Sequence, residues 1–151
     1  MGYKMKIIFA NSNTLGSWLI RKVTWGKWSH VGILDESNGY VLEASWPDGV
    51  RLVKLDKFLA KHSATFTTSV ILPNEIAAFK WAYAQVGKPY DTFGILGVWA
   101  RRNWRNADKW WCSEFVAGSA IAGGVQLIDV DMSRVTPEDL WKSPLLIKKE
   151  V

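Results

Sequence analysis
Strand-like stretches crowd the first half of the chain and helix-like stretches the second, and this segregation constrains the fold more than any other feature. Alternating βαβ units would place a helix after nearly every strand. A block of strands followed by a block of helices points instead to an α+β fold. Lys4 to Ala10 reads as a first strand, closed by the polar turn Asn11-Ser12-Asn13. Thr14 is placed to cap a helix through about Thr24, with Leu15, Leu19, Ile20 and Val23 on one face, and Gly26 breaks it. Ser29 to Asp35 and Tyr40 to Trp46 read as two strands of a hairpin joined through Ser37-Asn38-Gly39. Pro47-Asp48-Gly49 marks a second turn, followed by a strand of alternating apolar positions, Val50 to Leu55. Asp56 to Lys61 reads as a short helix and Thr65 to Leu72 as a β-branched strand. Pro73 opens a helix over Asn74 to Val86, which Gly87 stops. Further helices are expected over Thr92 to Trp104 and Trp111 to Ala122. Thr136-Pro137-Glu138-Asp139 reads as a capped helical turn, with a last strand near Leu145 to Lys148.

Composition narrows the possibilities further. The chain has 151 residues, 48% of them apolar and 22% charged, which suits one globular domain spanning 1–151 and excludes a disordered chain. One cysteine cannot form an internal disulfide. One cysteine and two histidines at unrelated spacings also fall short of a closed structural zinc site, which needs about four clustered ligands. No metal or cofactor is expected. Met1 to Ala10 lacks the apolar core of a signal peptide, and no stretch approaches the ~20 apolar residues of a spanning helix. The expectation is a chain cytoplasmic as synthesised, with release or a phage-associated role as the alternative. The net charge of +5 favours an anionic partner, whether wall polymer, lipid headgroup or nucleic acid, and selects none of them.

The lone thiol is either an inert core residue or a nucleophile. Cys112 falls at the start of a predicted helix, in Trp110-Trp111-Cys112-Ser113-Glu114-Phe115-Val116. The partial positive charge and unpaired N–H groups there favour a thiolate and can receive an oxyanion. His30 lies in the strand Ser29-His30-Val31-Gly32-Ile33-Leu34, where alternation puts it on one face with Gly32 and Leu34. Gly32 leaves space beside the imidazole. Glu43 lies in the partner strand, among Val41, Leu42 and Ala44, and is placed to accept the second N–H of His30 and hold its tautomer. Glu114 is the competing acid, but two helical residues turn it ~200° from Cys112. It suits the helix dipole instead. His62, in Ala60-Lys61-His62-Ser63, reads as a solvated helix end.

Four segments in this order carry a resemblance: Ser29-His30-Val31-Gly32-Ile33, Val41-Leu42-Glu43-Ala44, Gly87-Lys88-Pro89-Tyr90-Asp91, and Trp111-Cys112-Ser113-Glu114-Phe115-Val116. Together they resemble the circularly permuted branch of the NlpC-type papain-like cysteine hydrolases, which includes YiiX-like proteins and relatives of lecithin:retinol acyltransferase. The histidine precedes the cysteine here, as the permuted form requires. Thr136-Pro137-Glu138-Asp139-Leu140 followed by Ser143 is similar to the tail of YiiX-like members. The resemblance implies an antiparallel sheet packed against helices, with a nucleophilic Cys112 at a helix N-terminus. It also implies a general base at His30, an orienting Glu43, and Tyr90 near the thiol to assist the oxyanion or substrate. Family members acting on cell walls usually carry an export signal or a wall-binding module, and neither is read here.

The function so implied is a thiol hydrolase of amide bonds, with a small peptide or peptidoglycan stem peptide as substrate. The same thiol used on acyl esters, thioesters or lipids is the alternative, and an idle binding or assembly module is the third. Trp99, Arg101, Arg102, Trp104, Arg105, Trp110 and Trp111 run directly into Cys112. Trp110, Trp111, Arg101 and Arg102 are therefore expected to wall the substrate site and to meet an anionic polymer or lipid surface. No specific nucleic-acid partner is expected, and the oligomeric state is left open.

Overall fold
The computed structural model describes residues 3–91, 111–131 and 134–148. Five strands are formed: β1 (Tyr3–Asn11), β2 (His30–Asp35), β3 (Tyr40–Ser45), β4 (Gly49–Lys54) and β5 (Ala64–Leu72). They make one sheet of order β4-β3-β2-β1-β5, and every neighbouring pair is antiparallel. β1 is an interior strand between β2 and β5, and its run Ile7-Ile8-Phe9-Ala10 is buried on both faces. Ile7 and Phe9 enter the main core. Ile8 and Ala10 join a smaller cluster with Leu34, Val41 and Phe58.

The helices are α1 (Leu15–Thr24), α2 (Leu55–Lys61), α3 (Glu75–Ala84), α4 (Cys112–Ala122) and α5 (Pro137–Trp141). α3 and α4 pack against each other on the main-core side, with Trp81 stacked on Phe115 at 6.0 Å. Gly118 makes that approach possible, since a Cβ there would lie 2.6 Å from the Trp81 ring. Residues Cys112 to Ala120 are all buried, so α4 is the central helix of the core. α2 covers the other sheet face through Phe58. α5 starts at a full capping box, with the Asp139 N–H bonded to Thr136 Oγ1 and the Thr136 N–H to Asp139 Oδ2.

Two expectations are corrected. The helix over Leu15 to Thr24 forms where its cap places it, but Leu15 and Leu19 of its apolar face lie exposed. Among the described side chains of α1 the buried one is Ser17, whose hydroxyl meets that of Ser29 at 2.6 Å. The last strand near Leu145 reduces to one bridge, Ser69 with Ile147. Just before it, the Leu145 N–H, the next that could face β5, donates to Ser143 Oγ at 3.3 Å instead. The helix expected over Thr92 to Trp104 lies outside the described residues. Among the described residues, no helix is long and apolar enough to cross a membrane.

Gly49 ties the sheet to the Gly87–Tyr90 segment. Its φ is +80°, and a Cβ there would lie 2.2 Å from the Lys88 carbonyl oxygen. The neighbouring Val50 exchanges two backbone bonds of 2.9 Å with Gly87 and Lys88. Gly49→Ala therefore meets both positive-φ strain and a backbone clash. It is expected to destabilise the protein by about 2 kcal/mol or more, a fall of about 4–8 °C in Tm by scanning calorimetry. A fall of less than a degree would contradict this account of the contact.

Candidate active site
The two middle strands supply the first two groups. His30 is the first residue of β2, and its approach is held by a polar knot. The Ser29 N–H donates to Asn11 Oδ1 at 2.9 Å, and Asn11 Nδ2 donates to the Lys27 carbonyl at 2.8 Å. His30 Nε2 lies 2.6 Å from Glu43 Oε2. Glu43 is only 2% exposed, and a carboxylate so buried needs a partner for each oxygen. Its Oε1 accepts from Arg51 Nε at 3.1 Å and Nη2 at 3.0 Å. Arg51 stands directly opposite Glu43 in the β3–β4 register and is steadied by Asp48 at 2.6 Å. Burial pushes the Glu43 carboxyl up, but the bond to His30 and the charges of His30 and Arg51 outweigh it and hold its pKa at about 2.

The helix supplies the third. Cys112 is the first residue of α4 and is buried. With Nε2 engaged by Glu43, Nδ1 is the His30 nitrogen left to interact with Cys112, which acts on the His30 charge. Burial pulls the His30 pKa down. Its bonds to Cys112 and Glu43, and the negative charge of both, more than reverse this and raise it to about 10. The site thus favours a protonated His30 beside Cys112. Trp111 occupies the N-cap of α4 and gives no side-chain cap bond. The usual acceptor at a helix start is thereby missing, and the first-turn N–H groups beside Cys112 are not covered by it.

Other sequence-derived residues fall as follows. Tyr90 packs against the core cluster that contains Cys112. Its hydroxyl pKa is raised well above the usual value, first by burial and then by the charges of Cys112 and Asp91, so it stays a neutral donor. Trp111 is 3% exposed, so its ring is packed inside rather than offered to solvent as a wall. Glu114 is fully buried in the first turn of α4. Arg101, Arg102 and Trp110 lie outside the described residues. Gly32 has its expected place beside the pair, since a Cβ there would sit 2.8 Å from Val41 Cγ1 and 3.6 Å from Glu43 Cβ.

The model of the permuted papain-like amidase enzymes, the YaeF/YiiX, C92 family, matches residues 5–147. The chain belongs to this family. It is accordingly a cysteine peptidase or amidase-type hydrolase. Among solved structures, the chain is similar to the metalloprotein YiiX of Escherichia coli O157:H7, described also as DUF1105. The TM-score is 0.69 at 21% identity, over 96% of this chain and 94% of that one, a likeness of fold. The comparison with curated proteins finds no match. The C92 assignment agrees with the permuted order, in which the histidine strand precedes the cysteine helix.

Two residues beside the pair escaped the sequence reading. Arg51 carried a usable signal, because a charged residue between Val50 and Leu52 in the strand after Glu43 is a cross-strand candidate. His62 is corrected: it is half-buried rather than solvated. Its ring stacks on His30 with centroids 5.7 Å and planes 6° apart, and Nδ1–H donates to the Phe58 carbonyl at 2.7 Å. Burial lowers its pKa, and the charge on His30 adds to that. Nothing in the local sequence signals this contact, which depends on where α2 returns against the sheet.

Proposed function
We propose that this C92 amidase cleaves peptide amide bonds with Cys112 as nucleophile, His30 as acid and base, and Glu43 as the group orienting His30. Its proposed substrate is a small peptide, a peptidoglycan stem peptide first. The observation that supports this best is the 2.6 Å contact of buried Glu43 with His30, whose other nitrogen is left to the thiol.

In the resting state the proton sits on His30 and the negative charge on Cys112. The thiolate attacks the carbonyl carbon, and the carbonyl π pair moves to oxygen. First-turn N–H groups of α4 and the Tyr90 hydroxyl stabilise that oxyanion. As the oxyanion collapses, the C–N bond breaks and His30 Nδ1–H protonates the leaving amine. Water then gives a proton to neutral His30 and attacks the thioester carbonyl. Collapse of the second oxyanion releases the acid and restores thiolate and imidazolium. Glu43 and Arg51 stay charged throughout and hold the Nε2–H tautomer. YiiX is described as a metalloprotein. Among the described residues of this chain, no group of three or more His, Cys, Asp and Glu is placed to hold a metal ion, and the steps above use none.

The test is a product assay. Incubation with muropeptides is expected to yield masses of fragments cut at an amide, and acid quenching is expected to trap an acyl group on Cys112. Release of products only from phospholipid or acyl-thioester substrates would overturn the amide reading and leave the same thiol acting as an acyl hydrolase or transferase. No turnover at all, with an alkylation rate of Cys112 unchanged by His30→Ala, would favour a binding module.

A further inference from the structure
The large apolar side chains Leu15, Trp18 and Leu19 of α1 point outward. Leu15 is 78% exposed, Trp18 48%, Leu19 50%, and Trp25, at the C-cap, 93%. The inward side carries polar groups beside the half-buried Ile20: Ser17 is buried against Ser29, and the Thr24 hydroxyl bonds back to the Ile20 carbonyl at 2.8 Å. A helix that settled on the sheet for its own packing would be turned the other way. Trp25 adds to the anomaly, because a bulky residue at φ +54° is disfavoured, yet here that conformation holds its ring in solvent.

Charge decides what the face suits. Arg21 and Lys22 lie in the last turn, Lys27 follows, and no Asp or Glu occurs before Asp35. Trp18, Trp25, Arg21, Lys22 and Lys27 line a groove of about 650 Å³. A second copy of this basic surface would be repelled. Nucleic acid or a polar wall polymer would leave Leu15 and Leu19 without apolar contacts. A bilayer with anionic headgroups satisfies all of them: leucines below the interface, tryptophans within it, and long cations reaching up to phosphate. We infer that α1 is an interfacial helix that docks the protein on an anionic lipid surface. The Ser17–Ser29 bond joins α1 to the residue before His30, so docking brings the His30 end of the sheet to that surface. The inference does not depend on the bond that the thiol cleaves.

The test is sedimentation with vesicles of phosphatidylcholine alone and of phosphatidylcholine with an equal part of phosphatidylglycerol. The protein is expected to bind the second and not the first, and to be released by salt. Leu15→Ser with Leu19→Ser, and separately Lys22→Glu with Lys27→Glu, are each expected to weaken binding about tenfold or more with little change in Tm, because these side chains lie on exposed residues. Cys112→Ala is expected to bind as the parent does, so that failure here is distinguishable from failure of the hydrolase reading. Absence of vesicle binding, equal binding to both compositions, or binding unchanged by both double variants would each overturn the inference. So would a parent dimer in sedimentation equilibrium that Leu15→Ser with Leu19→Ser dissolves, since that assigns the face to a second copy.

Discussion

Cys112→Ala is expected to leave no measurable amide turnover, and His30→Ala to lower kcat about 10²- to 10⁴-fold, the range for loss of a positioned acid–base group. The two effects share a cause. In the proposed mechanism His30 holds the proton that leaves the thiol and later delivers it to the amine, so its loss is expected to leave less thiolate and the departing amine unprotonated. The same variant is expected to slow alkylation of Cys112 at neutral pH, which reads the thiolate independently of substrate. Circular dichroism serves as the control for folding, because the Glu43–Arg51 pair remains to occupy the site. A His30→Ala enzyme within tenfold of the parent would remove His30 from the chemistry.

The second large effect concerns Glu43 and has a pH signature. Glu43→Ala takes away the acceptor of His30 Nε2 and leaves Arg51 without its carboxylate, so kcat is expected to fall about 10- to 10³-fold. Glu43→Gln retains an acceptor oxygen and loses only charge, so it is expected to fall less and to report on the titration. His30, raised to about 10, keeps its proton until the pH rises through that value, and the alkaline limb of kcat/KM belongs there. Without the Glu43 charge the limb is expected to move to lower pH. Stability follows the same sign. The raised His30 contributes fully below its unfolded value of 6.5 and ceases to contribute as pH rises through about 10. Glu43, held at about 2, contributes above its unfolded value of 4.5 and ceases to contribute as pH falls through about 2. The Tm difference between parent and Glu43→Gln is thus expected to be greatest between those unfolded values and to shrink in acid and in alkali. An alkaline limb that does not move would show that Glu43 does not set the His30 charge.

Much of the scaffold was legible because local rules govern it. Turn residues and alternation mark the β2–β3–β4 meander, and Thr14 and Thr136 act as the helix caps their residue types suggest, whereas Asn74, read as the first residue of its helix, proves to be the cap. What is set by distant parts of the chain was less legible. The insertion of β1 between β2 and β5 depends on a long return through α2 that no local pattern encodes. α1 misled for a definite reason: periodicity gives the direction of an apolar face relative to its own axis, not relative to the sheet. At the site, His30, Glu43 and Cys112 stood out because each is a polar or reactive group among apolar neighbours. His62 did not, because its surroundings in sequence are polar.

The residues proposed as base and orienting acid, with the guanidinium behind them, all come from one uninterrupted meander, His30 to Arg51, whereas the thiol arrives on a separate helix. The proton-handling half of the centre is therefore a self-contained cassette. Its main chemical demand on the remainder of the polypeptide is that the start of a cysteine-bearing helix reach the start of β2. Such a centre tolerates relocation of the chain's breakpoint, because swapping which half is translated first severs no contact within the cassette. It also marks a transferable module for engineering: the meander can be paired with other helices bearing a thiol, and the join to be optimised is a single edge.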